Sequence, residues 1–174
     1  MNKKEILKTV YNYYPKNIPS HDILYKKSIE YQRLKVILEA PPHKEAATNL
    51  FDELVVKYGD KCVKDMTLFG WGNPCYHFRV SILDKEKKWN TYVIFISVIS
   101  DYYYIYLNDD LWRIKNLKNN EDFREINKIV GKNFSNHKEL KPLVAKSIIP
   151  DIDYGHKYFG EVTILHCLFT DHIY

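Results

Sequence analysis

A chain of 174 residues with 45% hydrophobic and 28% charged side chains has the length and apolar content of one folded domain, not of a disordered segment. Its net charge of +4 is spread thinly: residues 1–60 carry 10 basic and 8 acidic side chains, residues 61–120 carry 9 and 6, and residues 121–174 carry 7 and 8. No basic stripe forms, so nucleic acid is not an expected partner, because a nucleic-acid surface must neutralise several phosphates together.

The first residues alternate charge with apolar side chains and contain no h-region of a secretory signal. The longest strongly apolar run, residues 92–99, is far too short to cross a bilayer. Three cysteines without close spacing suit reduced thiols, and together these features point to a cytoplasmic protein. Tyr, Asn, Lys and Ile are abundant, as an AT-rich genome would make them. The position of the 15 tyrosines therefore carries more meaning than their number.

Taken in order, the first third reads as helical. Residues 4–14 place Ile6, Leu7, Val10, Tyr11 and Tyr14 on one stripe before Pro15. After a loop holding Pro15 and Pro19, Ser28 is the candidate N-cap of a helix over 28–39 that Pro41 and Pro42 stop. Residues 43–58 repeat Ala46, Ala47, Leu50, Phe51, Leu54, Val55 and Tyr58 at helical spacing, with Gly59 placed as a C-terminal cap.

The period then changes to two. A strand over 63–69 runs into the turn Gly70-Trp71-Gly72-Asn73-Pro74, and strands follow over Cys75–Leu83, 89–99 and Tyr102–Leu107. If residues 84–88 close one hairpin and Ser100-Asp101 the next, Phe78, Val80, Tyr92, Ile94, Ile96, Tyr103, Ile105 and Leu107 share one face. His77, Arg79, Ser81, Val93, Phe95, Ser97, Tyr102, Tyr104 and Tyr106 share the other. The last third predicts a helix over 120–134, which Gly131 could shorten, a short strand over 145–149, a loop over 151–160 and a strand over 162–169. The expected fold is α+β: N-terminal helices on one face of an antiparallel meander, then a further helix and a C-terminal strand. One domain over 1–174 is expected, helical over 1–60, a β-meander over 61–108 and mixed over 109–174.

Catalytic signatures are missing: no Gly-rich phosphate loop, HExxH, GxSxG or CxxC occurs. Cys75 with His77, and His166 with Cys167, could in principle supply zinc ligands or a thiol nucleophile, but buried structural cysteines are the commoner case. Asp109-Asp110 and Asp151 with Asp153 fit caps and turns better than a catalytic carboxylate pair. Neither a catalytic residue nor a metal or cofactor is expected.

The aromatic and polar sheet face is the best remaining constellation, since Tyr, Trp and Arg dominate binding hot spots. The candidate partner-binding residues are His77, Arg79, Phe95, Tyr102, Tyr104 and Tyr106, with Trp71 and Trp112 on the rim. Because the strand over 89–99 is apolar on both faces, the C-terminal segment could instead cover this patch. The exposed surface would then move to the rim tryptophans Trp71, Trp89 and Trp112.

Several stretches resemble small bacterial immunity partners of polymorphic or contact-dependent toxins. They are Tyr13-Tyr14-Pro15, Tyr25-Lys26-Lys27-Ser28, Glu30-Tyr31, Arg33-Leu34, the segment 97–106, Ile149-Pro150-Asp151 and the segment 167–172. The resemblance implies a non-enzymatic cytosolic protein that binds one cognate toxin domain and blocks it by occlusion. With a sequence pI near 8.7, such a protein would suit a neutral or acidic toxin surface. The alternative is a small-molecule binder or an enzyme with a pocket between helices and sheet.

Overall fold

A computed structural model describes residues 3–84, 86–107 and 120–170. The elements in chain order are α1 (Lys3–Tyr11), α2 (Ile23–Lys27), α3 (Ile29–Glu39), α4 (Lys44–Tyr58), β1 (Val63–Asp65), a 3-10 turn (Phe69–Trp71), β2 (Cys75–Leu83), β3 (Trp89–Ser97), β4 (Tyr102–Leu107), α5 (Glu121–Asn133), β5 (Lys138–Glu139), α6 (Pro142–Ala145) and α7 (Ile164–Leu168). The fold is α+β. Its sheet has the order β1-β2-β3-β4-β5, antiparallel except for the β4–β5 pair.

The meander has the register that the alternating pattern predicts. Phe78 lies opposite Ile94 and Ile94 opposite Ile105, while His77 lies opposite Phe95 and Phe95 opposite Tyr104. Burial on one face requires this pairing, since a one-residue slip would turn every apolar side chain to the wrong side. α4 and α5 cover the face of Phe78, Ile94 and Ile105. The Phe51 ring of α4 sits 6.1 Å from that of Phe78. Tyr92 and Tyr103 each donate, at 2.9 Å, to Asn120 at the head of α5 and to Asn127 within it.

The opposite face is also covered, by α7 and the residue after it. Phe169 places its ring 5.7 Å from Phe95 and 6.4 Å from Tyr104. α1 packs on α7, and the Tyr14 hydroxyl donates to the Cys167 carbonyl at 2.8 Å. The expectation of helices on one face is therefore corrected to helices on both, with the sheet as the middle layer.

The predicted C-terminal strand is a helix. Thr163 accepts from the His166 amide, and its own amide donates to His166 Nδ1 at 3.0 Å, forming a capping box ahead of α7. Ile164, Leu165, Cys167 and Leu168 are all buried, so the segment is apolar all round and has no period to separate helix from strand. Residues 145–149 are likewise not a strand. Pro142 opens α6, and only Ile148 bridges to Thr163. α2, which the loop reading did not foresee, is capped by the Asp22 carboxylate accepting from the Leu24 amide. β1 stops at Asp65, although Thr67 still accepts from the His77 amide at 3.0 Å. Ser28 does cap α3, accepting from the Tyr31 amide at 3.2 Å.

Candidate partner-binding surface

The sheet-face residues do come together in space, but as core. Phe95 and Tyr104 are each 1% exposed and Tyr106 is 7% exposed. Their rings pack on one another and on Phe169, so this part of the predicted patch is a second hydrophobic layer closed by the chain's own C-terminal segment. The physical reason is the apolar character of β3 on both faces, which leaves neither side for water. Tyr102 is half-buried at the end of β4.

His77 and Arg79 sit at the edge of this layer. The His77 ring packs edge-on against Phe95 at 4.8 Å, and its Nε2 accepts a long hydrogen bond, 3.4 Å, from Arg79 Nε. Burial, with the Arg79 charge beside it, pushes the imidazole down to about 4. His77 is thus held neutral, and Arg79 remains exposed. Of the rim residues, Trp71 is 72% and Trp89 61% exposed, while Trp112 lies outside the described residues.

The cysteines and histidines of these two neighbourhoods are buried or tied into the fold. Cys75 and Cys167 are buried, and burial raises both thiols well above their ordinary range, disfavouring the thiolate that a nucleophile needs. His166 is engaged in the capping box. Among the described residues no group of three His, Cys, Asp or Glu is placed to hold a metal ion, and no helix is long and apolar enough to cross a membrane.

Asp151 and Asp153 tie the two ends of the chain together. Asp151 accepts from the Tyr11 hydroxyl at 2.9 Å and pairs with Lys16 at 3.6 Å. Asp153, 3% exposed, accepts from the Ser20 amide at 3.0 Å. Asp109 and Asp110 lie outside the described residues.

The surface that sequence reasoning missed is α3. It contributes one fully buried side chain, Leu34, and leaves Ile29 and Val36 63% and 64% exposed. Seven residues apart, those two stand on one helix face, with Gln32 and Arg33 between them. That face borders a groove of about 690 Å³ lined by Asn12 and Tyr13 after α1 and by Ile29, Gln32, Arg33, Val36 and Ile37. On its other side α3 flanks a second, smaller groove of about 280 Å³, where Tyr31, Leu34 and Leu38 meet Phe69 and Tyr154. α3 is thus a ridge between two hollows. Its available signal was in the sequence: Ile29 and Val36 fall off the buried stripe of Leu34.

Compared with family models, with curated proteins and with solved structures, the chain shows no significant match to any of them.

Proposed function

We propose that this is an immunity-type protein of the bacterial cytoplasm, which binds a cognate toxin domain and neutralises it by occlusion, and that it meets the toxin through the α3 ridge. The observation that supports the docking surface is the pair Ile29 and Val36, exposed above the groove between α3 and the end of α1. A protein partner suits them because an exposed apolar ridge gains most when a complementary surface removes it from water. Lys26, Lys27, Arg33 and Lys35 outnumber Glu30 and Glu39 over residues 23–39, and Lys35 is paired with Glu39 at 3.7 Å. The partner surface is therefore apolar at its centre and acidic at its edge. The resemblance to toxin immunity proteins supplies the class of that partner.

Co-expression with a toxin-like reading frame encoded beside its gene tests this, and the absence of such a frame counts against the immunity reading. The intact chain restores growth and co-purifies with the toxin domain, and Val36→Glu abolishes both. Because Val36 is a surface position, that variant keeps its folding stability within about 0.5 kcal/mol. Failure of the intact chain to protect or to form a complex rejects the immunity reading. Protection that survives Val36→Glu and Ile29→Asp together rejects the α3 surface alone.

A further inference from the structure

A wedge between α4 and the sheet stays open at the start of the helix. Lys44, Ala47, Thr48 and Phe51 share one face of α4, at helical spacing, and form one wall of a cleft of about 450 Å³. The other wall is Tyr76 and Phe78, alternate residues of β2 that point to the same side of the sheet, with Phe69 of the 3-10 turn beside them. Asp65, opposite Phe78 at the end of β1, closes one side with Thr67. Ala47 is buried at the base of the wedge, where a longer side chain would occupy the space.

Four aromatic rings follow one another around this hollow. Phe69 meets Tyr76 edge-on at 5.1 Å, Tyr76 lies nearly parallel to Phe78 at 6.5 Å, and Phe78 lies 6.1 Å from Phe51. The Tyr76 hydroxyl donates to the Pro42 carbonyl at 2.8 Å, which fixes that ring against the chain leading into α4. Tyr76 and Phe78 are buried, while Phe51 and Phe69 are half-buried at the cleft. A pre-formed aromatic lining favours another ring, because offset and edge-to-face pairs gain beyond the area they bury. A cavity of this size, mostly apolar with a few polar groups, has the form of a small-molecule site.

The rim carries one charge of each sign, from opposite walls. Lys44 and Asp65 are both exposed, and among the described residues neither forms an ion pair. Asp65 Oδ1 accepts from the Thr67 amide at 2.9 Å, which holds the carboxylate at the end of β1. A ligand with a planar ring inside and an ammonium and a carboxylate at the mouth meets the rings and both charges. We propose that this cleft binds a free aromatic amino acid, its ring among Phe51, Phe69, Tyr76 and Phe78, its carboxylate toward Lys44 and its ammonium toward Asp65. The cleft uses none of the α3 residues, and the proposal stands whether or not α3 binds a toxin.

The test is a chemical-shift titration of the full chain with three probes. They are L-tryptophan, L-leucine, which keeps both charges without the ring, and N-acetyl-L-tryptophanamide, which keeps the ring without the charges. Tryptophan saturably shifts the methyl groups of Ala47 and Thr67 and the amides of Thr48 and Asp65, and each of the other two binds at least about tenfold more weakly. Lys44→Gln and Asp65→Asn each weaken tryptophan about tenfold, the loss of one charge-assisted contact, and leave the blocked amide unchanged. Both positions are exposed, and Asn keeps an acceptor for the Thr67 amide. Ala47→Leu fills the wedge and removes binding while the amide spectrum stays dispersed; if that variant unfolds, the two charge variants decide. The proposal is overturned if tryptophan does not saturate, if leucine binds as tightly, or if both charge variants bind as the parent does. It is equally overturned if the blocked amide binds as tightly as the free amino acid, which would assign the cleft to an aromatic side chain of a protein.

Discussion

At the residue scale, His77 links the second core layer to pH. Its folded-state value lies near 4 and the unfolded reference near 6.5, so between those values the unfolded chain binds a proton that the folded chain refuses. Stability is therefore complete above pH 6.5 and declines as pH falls toward 4. Burial of the ring is the main cause, and a proton on Nε2 would also face the Arg79 guanidinium that now donates to it. Allowing for solvent that reaches the half-buried ring, the loss is about 2 kcal/mol. His137 is shifted in the same direction by burial and by His43, and adds to the slope. His77→Gln keeps an acceptor for Arg79 and removes the titration. Urea unfolding midpoints between pH 7.5 and 4.5 should fall less steeply for this variant, and equal slopes would show that His77 does not titrate on unfolding.

At the element scale, the strands were the most legible part of the chain and the C-terminal helices the least. The bounds read for β2 and β4 matched residue for residue: β2 alternates buried with less buried side chains over much of its length, whereas β4 is buried from Tyr103 to Tyr106 and was located by the hairpin register instead. In α7 every position but His166 is buried, and the capping box of Thr163 with His166 uses a histidine where Glu or Gln is the usual partner. Nothing in the local pattern marked it as helical. β5 is only two residues long and pairs in parallel with β4, so no periodicity can announce it.

Gly131 belongs to the same comparison. Placed as a possible helix end, it lies inside α5, which runs on to Asn133 because Phe123, Ile126, Ile129 and Val130 bury a continuous stripe. Packing overrides the weak helix propensity of one glycine. An added Cβ at Gly131 meets nothing within 4 Å, and its φ is not positive. Gly131→Ala should therefore stabilise the protein by about 0.5–1 kcal/mol, through the entropy that glycine retains in the unfolded chain. Thermal unfolding checks this, and an unchanged or lower midpoint would mean that α5 is strained at that turn.

At the scale of the whole molecule, the candidate site was misread for one reason: a sheet face rich in Tyr and Phe looks alike in sequence whether it meets a partner or the chain's own end. The register of β2, β3 and β4 was legible, and the two-sided apolar β3 already pointed to a cover from the C-terminal segment, but not to Phe169 as its residue, since the contact with Phe95 and Tyr104 joins segments more than 60 residues apart. The tie between the chain's two ends is longer still. Tyr14 reaches the Cys167 carbonyl, the Asn17 amide donates to the Asp151 carbonyl at 2.8 Å, and Ser20 reaches Asp153. Such contacts close long loops and carry a correspondingly large entropic cost.

One consequence is that the two layers on either side of the sheet should be lost together. Phe169 is fully buried, and its ring closes the layer of Phe95 and Tyr104. Phe169→Ala removes that ring and leaves a cavity, at a cost of about 3–5 kcal/mol. If the sheet binds both layers into one cooperative unit, far-ultraviolet circular dichroism and intrinsic fluorescence will report one coincident urea transition. In Phe169→Ala that single transition will move to lower urea with its slope unchanged. Two separated transitions, with the α4–α5 side persisting after the α1–α7 side has melted, would instead show that α1 and α7 dock on a sheet already stabilised from its other face. The mutation is informative either way, because Phe169 touches only one of the two layers and any response from the other must travel through β3 and β4.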